Sequence, residues 1–291
     1  MPERPADQLS SPPLPTFFVI GASKAGTTSM HHYLAAHPEI EMTNPKEPHL
    51  LCGPPDFRDR LFVYSQVLGG DAAIRGEVSP GYATYPFNAE VPDRIKAIVP
   101  EARLVYLVRD PIERAVAHYA QHLMWRLEDR ELAAALDPGA GSVYVAASRY
   151  ATQVEAYLRR FDEEQLLVVD SAELRDRRAE SLRRVFAHVG ADPGYWDPAF
   201  EIEHYGRADD NLRPPSGEIA LSRSAVYRRA LRPLLPERLR TAVRLRARRA
   251  FGEQVIPEAT PELRSRLAEA LAPEAERLRA LTGERFASWS V

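Results

Sequence analysis

Cysteine is almost missing from this chain: Cys52 is the only one in 291 residues. An intramolecular disulfide is thereby excluded, no Cys/His cluster has the spacing of a structural zinc site, and a reducing, cytoplasmic setting is expected. Lysine is nearly as scarce. Lys24, Lys46 and Lys96 are the only lysines among 38 basic residues, the rest being arginine. Each marks a place where a compact, movable ammonium stands instead of a forked guanidinium. No apolar run approaches the roughly 20 residues that a spanning helix needs, so no membrane span is expected. Charge of either sign is not in excess. The formal net charge of −3 argues against a main role in coating nucleic acid or an anionic membrane, so any bound anion must be held by a local cluster. The first residues, MPERPADQLSSPPLP, are proline-rich and polar, with neither a secretory signal nor an anchor. They are expected to form a disordered arm over 1–15, ahead of one domain over 16–291.

What is present has the composition of an ordinary soluble globular protein, 45% hydrophobic and 27% charged. FFVIG at 17–21 suits a buried strand, and TTSMHHYLAAHP, from Thr27, reads as a helix stopped by His37-Pro38. A short strand is expected in EIEM, a helical spacing in DFRDRLFVYSQVL, a strand end in IRGEVSPGY and a short helix in VPDRIKAIVP. The clearest unit is RLVYLVRDPIERAVAHYAQHLMWR: a fully apolar strand, then Arg-Asp-Pro, then about four turns of helix with Pro111 at its first position. Further along come a helix in SRYATQVEAYLRRF, a strand in QLLVVD and a helix stopped at Gly190. Residues 204–217 read as a loop, 218–252 as arginine-rich helix, and TPELRSRLAEALAPEAERLRALTG as one or two capped helices. Strands alternating with helices point to an α/β fold with a central parallel sheet covered on both faces and a helical C-terminal flank.

The chemistry concentrates in two short stretches. GASKAGTT at 21–28 has the strand, tight turn and helix start of a phosphate-binding loop. Its lysine, however, lies inside the loop, where the nucleotide-hydrolysing pattern GxxxxGK[ST] has it after the second glycine. With this loop, KEPHLL at 46–51 and RDPIERAVAHY at 109–119, the chain resembles the sulfotransferases that use 3′-phosphoadenosine 5′-phosphosulfate. It is most similar to their heparan-sulfate-type and bacterial small-molecule branches, over about residues 17–170.

The resemblance implies a P-loop-like three-layer fold and a role for each matching residue. Lys24 would contact the 5′-phosphate and the bridging oxygen, with Ala25, Gly26, Thr27, Thr28 and Ser29 cradling the same end. Arg109 would hold the 3′-phosphate. A serine that shares this duty in the family is replaced by Ala117, so His118, or Arg207 and Arg213 from a late loop, are candidates to compensate. On the acceptor side Glu47 would be the general base, with His49 orienting and Lys46, Glu77 and Tyr82 near the substrate. Glu77 is the second candidate base.

Val78 stands where several polysaccharide-modifying members carry lysine, which favours a small or lipid-like acceptor, such as a bacterial natural product, with 127–147 as a lid or acceptor loop. A sulfuryl group carries less charge than a phosphoryl group, so no metal is expected. His31, His32 and His37 read as packing or surface residues, and Cys52 as a small pocket-side residue rather than a nucleophile. Two other readings stay open. A P-loop kinase would need lysine where Thr27 stands, and a non-catalytic nucleotide-binding protein would use the arginine-rich 223–249 as a contact surface.

Overall fold

Five short segments become the five parallel strands of one sheet, in the order β2-β3-β1-β4-β5. A computed structural model describes residues 12–69, 72–139, 141–202 and 257–291, with backbone alone at 212–213 and 253–254. Strand β1 (Phe17–Gly21) is buried along its whole length and leads through a tight turn into helix α1 (Thr27–Ala35). The chain crosses to the edge strand β2 (Ile40–Met42) and returns through a 3-10 segment (Pro55–Val63) and the short α2 (Tyr64–Val67) to β3 (Ile74–Val78). The helical spacing expected there takes the tighter 3-10 form, with Asp56 off helical geometry just after Pro54 and Pro55.

Helix α3 (Val91–Ile98) then carries the chain across β1 to β4 (Arg103–Val108), which feeds α4 (Pro111–Met124). Two short helices, α5 (Leu132–Ala135) and α6 (Val143–Ala146), precede α7 (Tyr150–Leu158), β5 (Leu166–Asp170), α8 (Ser171–Asp176) and α9 (Arg178–Val189). The last is closed by Gly190 in the left-handed region, as its sequence position anticipates.

Strand β1 is the centre. It pairs with β3 on one side and β4 on the other, all parallel, so the turns leaving β1, β3 and β4 emerge at the same edge of the sheet. Chain excursions run one way from β1 to β2 and β3 and the other way to β4 and β5. That reversal opens a crevice at the carboxyl ends of the strands. Leu104 to Val108 are all fully buried, each aliphatic one worth about 1.5–3 kcal/mol relative to exposure. The frame beneath the crevice is therefore stiff.

The C-terminal segment TPELRSRLAEALAPEAERLRALTG forms one helix, α10 (Pro261–Thr282), with Pro273 accommodated inside it. Leu263, Leu267 and Leu271 pack with Ile112, Ala115 and Tyr144, while the buried Glu274 accepts hydrogen bonds from the backbone and hydroxyl of Thr152 on α7 (3.0 and 2.9 Å). Of the expected arm, residues 12–15 lie against the body: Leu14 packs beside Leu50, Tyr64 and Leu68, and its carbonyl accepts from Arg75 Nε (2.9 Å). The rest of that arm, the arginine-rich 223–249 and most of the 204–217 loop lie outside the described residues. Among the described residues no helix is long and apolar enough to cross a membrane.

Candidate active site

At the crevice the turn from β1 to α1 is held in an unusual shape. Gly26 adopts φ 93°, where a side chain would be strained, and Lys24 adopts φ 71° although it is not glycine. Helix α1 begins directly after this turn with no side chain capping its first turn. A turn of this kind at an uncapped helix start is the arrangement that a phosphate oxygen can complete. The first glycine has a different task. A Cβ on Gly21 would come within 2.8 Å of the Tyr106 ring, so Gly21 is needed for packing against β4.

The second element reaches the first directly. Asp110 caps α4 by accepting from the backbone of Ile112 and Glu113 (3.0 and 2.9 Å), which sets Arg109 at the mouth of the turn. Arg109 Nη1 donates to the Lys24 carbonyl (3.4 Å), and its other nitrogen lies 3.9 Å from Glu113. The residues present thus fit a bisphosphorylated nucleotide: one anionic end on the α1 turn, a forked cation beside it. Ala117 lies one turn beyond Glu113 and is half-buried.

Arg114, which the sequence reading passed over, is the buried link of this region. It is fully enclosed and donates to Ser148 Oγ (2.7 Å), the Ser23 carbonyl (3.4 Å), His118 Nδ1 (3.3 Å) and the Tyr144 carbonyl. A guanidinium has only donors, so His118 Nδ1 must accept and its proton sits on Nε2. Burial, then the charges of Arg114, His122 and Lys24, push His118 well below the usual histidine range, which keeps it neutral. His118 is also stacked edgewise on His122 and Tyr144, at 4.5 and 5.1 Å. The 127–147 segment is thereby anchored to α4 through Tyr144, whose hydroxyl donates to Glu128 (3.0 Å) and lies 3.0 Å from His122 Nδ1.

The third element is the loop after β2. Glu47 and His49 take φ 61° and 50°; with Lys24, they are three of only five non-glycine residues at positive φ among those described. Each such residue costs of the order of 1–3 kcal/mol and persists only where its surroundings impose it. Here a buried hydrogen-bonded hub does so. Glu77, with no exposed surface, accepts from Tyr64 (2.5 Å) and Ser79 (2.6 Å). Ser79 in turn accepts from the His49 backbone (3.3 Å), and the Tyr82 hydroxyl accepts from the Leu51 backbone (3.1 Å). The His49 ring stands edge-on to Tyr82 at 6.1 Å, and a Cβ on Gly81 would come within 3.3 Å of it.

Glu77 and Tyr82 therefore support the loop from below, and neither has surface to offer an acceptor. Val78 is fully buried in the core, so this position offers no cation to an acceptor. Burial raises the Glu77 carboxyl, despite the donors around it. A raised folded-state value means stability that is present at low pH and lost as pH climbs above the usual 4.5. Glu77→Gln is accordingly expected to flatten the fall in stability between pH 4 and 7 while turnover stays within about 10-fold of wild type. Urea unfolding at the two pH values, set beside turnover, checks this; a loss of turnover as deep as that of Glu47→Gln would return the base role to Glu77.

Above the hub, Lys46 joins the loop to α1. Its ammonium donates to Thr28 Oγ1 (2.9 Å) and forms a short contact with Glu47 Oε1, while His49 Nε2 lies 3.7 Å from Glu47 Oε2. Burial alone would raise Glu47, but the approach of His49 and the charge and hydrogen bond of Lys46 outweigh it and hold the carboxyl at about 2. His31, one turn below Thr27 and Thr28 on α1, faces this pair. Burial and the neighbouring His32 and Lys46 lower it to about 4, leaving it neutral. The i, i+3 and i, i+4 offsets from Thr28 and Thr27 were the available signal. His37, by contrast, is a packing residue between Phe186 and Tyr195. Cys52 is half-buried, and its thiol is pushed up to about 11 by burial and by Glu90 and Glu77. Arg207 lies outside the described residues, and only the backbone of Arg213 is described, paired with Glu253.

Comparison with known proteins points the same way. A family described as "Sulfotransferase family" matches residues 56–198. Mouse heparan sulfate glucosamine 3-O-sulfotransferase 3B1 is 29% identical over 186 residues, which are 61% of this chain and 46% of that protein, so the chain spans under half of this relative's length. A sulfotransferase from Alicyclobacillus acidocaldarius superposes with a TM-score of 0.65 over 96% of this chain and 100% of its own, at 23% identity. The mouse sulfotransferase SULT7A1 complexed with PAP does so with a TM-score of 0.51, covering 92% of this chain and 87% of its own at 16% identity. These two structures speak for the fold.

Proposed function

The chain belongs to the sulfotransferase family, and from that premise we propose that it transfers a sulfuryl group from 3′-phosphoadenosine 5′-phosphosulfate to the hydroxyl of a small-molecule acceptor. The bound donor supplies an SO3 group on an activated phosphate oxygen. Around it the chain's own residues divide the work. The N–H groups and hydroxyls at the start of α1, from Ala25 to Ser29, hold the 5′ end, and Arg109 the 3′-phosphate. His118, with its proton on Nε2, takes up part of the duty left open at Ala117. Lys24 offsets the charge that grows on the departing phosphate oxygen. Glu47 accepts the acceptor's proton, with His49 orienting the hydroxyl.

What carries this reading is the bridge from Thr28 through Lys46 to Glu47, which ties the phosphate loop and the base into one hydrogen-bonded assembly. The mouse relative is named a 3-O-sulfotransferase, and we take oxygen rather than nitrogen as the acceptor atom. A bacterial natural product or lipid-like metabolite in a cytoplasmic setting is the acceptor class we favour.

Adenosine 3′,5′-bisphosphate is expected to raise the thermal midpoint, by an amount equivalent to about 2.7 kcal/mol at a hundredfold excess over its Kd. Differential scanning fluorimetry measures it. A larger shift with ATP and Mg2+ than with the bisphosphate would instead favour the kinase reading.

A further inference from the structure

Lys46 has two partners that belong to different halves of the site. Thr28 is part of the anion-binding turn, Glu47 is the base, and the one ammonium touches both (2.9 Å to Thr28 Oγ1). Its side chain is largely enclosed, at 20% exposure, while Glu47 is the more open of the two at 39%. Among the described residues, Thr28 and His31 from α1 face this pair, with His32 beyond His31, and His49 does so from the loop itself. His31 is neutral, and its Nδ1 is buried without a hydrogen bond, so α1 sets no second cation against Glu47 from that position.

We propose that Lys46 is a donor-sensing positioning residue: an anion on the α1 turn draws its ammonium away from Glu47, so that occupation of the donor site strengthens the base. Without an anion Lys46 remains on Glu47, and His49 and Lys46 together hold the carboxylate at about 2, too low for an effective proton acceptor. The competition must run both ways. Glu47 weakens anion binding because it withholds Lys46, to the same factor by which the anion loosens Lys46 from Glu47. This rests on the sulfotransferase reading above, and it assigns Lys46 to the link between donor and base rather than to the acceptor.

The test needs no acceptor. Isothermal titration calorimetry with adenosine 3′,5′-bisphosphate is run on the wild type, Glu47→Gln, Lys46→Met and the double variant. Glu47→Gln is expected to bind about 3- to 10-fold more tightly than wild type, and Lys46→Met about 10-fold more weakly, with the gain from removing Glu47 vanishing in the Lys46→Met background. Equal gains in both backgrounds would mean that Glu47 repels the nucleotide directly, and would overturn the link while leaving the donor site standing. No gain in either background overturns it as well. Absence of bisphosphate binding to the wild type overturns the donor reading and the link together. Should Lys46→Met not fold, Lys46→Gln, which keeps a hydrogen bond to Thr28 without the charge, takes its place in the cycle.

Discussion

Lys24→Ala is expected to lower kcat by about 10²–10³, the cost of removing one preorganised group from the position where charge develops. The residue sits in the turn between β1 and α1 at φ 71°, a conformation imposed from outside by the Arg109 and Arg114 hydrogen bonds to the carbonyls of Lys24 and Ser23. The backbone of the turn is therefore aimed before anything binds. Because the turn's backbone and the first turn of α1 remain, binding of adenosine 3′,5′-bisphosphate should weaken far less than turnover falls. Lys24→Arg should not restore the rate, since a planar fork cannot follow a single oxygen as a compact ammonium can. Release of the bisphosphate from the phosphosulfate, with a panel of alcohols and phenols as acceptors, is the measurement. Turnover within about threefold of wild type would remove Lys24 from the chemistry.

Glu47→Gln should cost about 10²–10⁴ in kcat, the range associated with loss of a positioned base, with the fold intact. The side chain is half-exposed and belongs to a loop fixed from beneath by Ser79 and Tyr82, so the amide disturbs little else. The pH dependence follows from its depressed value. Held at about 2, Glu47 stays ionised throughout the working range, and the stability it contributes is lost only as pH falls from the usual 4.5 toward 2. The free-enzyme profile of kcat/KM should accordingly show no acidic limb from Glu47 above pH 4, and a Lys46→Met variant should bring one in at higher pH. A Glu47→Gln enzyme with full activity would leave the fold untouched and end the assignment.

Much of the frame was legible because its signals are local. The apolar run at 104–108, Asp110 capping α4 two and three residues on, Pro111 at the first helical position and Gly190 closing α9 each act within one turn of chain. The turn between β1 and α1 was legible for the same reason, as a strand, a glycine at positive φ and a helix start. The 3-10 form of 55–63 was not, because apolar spacing does not separate it from an α-helix. Glu77 illustrates the limit differently. Its motif suggested a base, whereas its complete burial under Tyr64 and Ser79 makes it a support.

By itself the sequence determined the parallel α/β frame, the tight turn into α1 at Lys24 to Ser29 and the Arg-Asp-Pro helix start, since each is encoded in neighbouring residues. The tertiary structure alone decided that Arg114 locks His118 with its proton on Nε2, that His31 faces Glu47 and that Lys46 spans Thr28 and Glu47. Those contacts depend on the strand order that brings the ends of β1, β3 and β4 to one edge, and a pairing between distant segments leaves no period or spacing in the chain to be read.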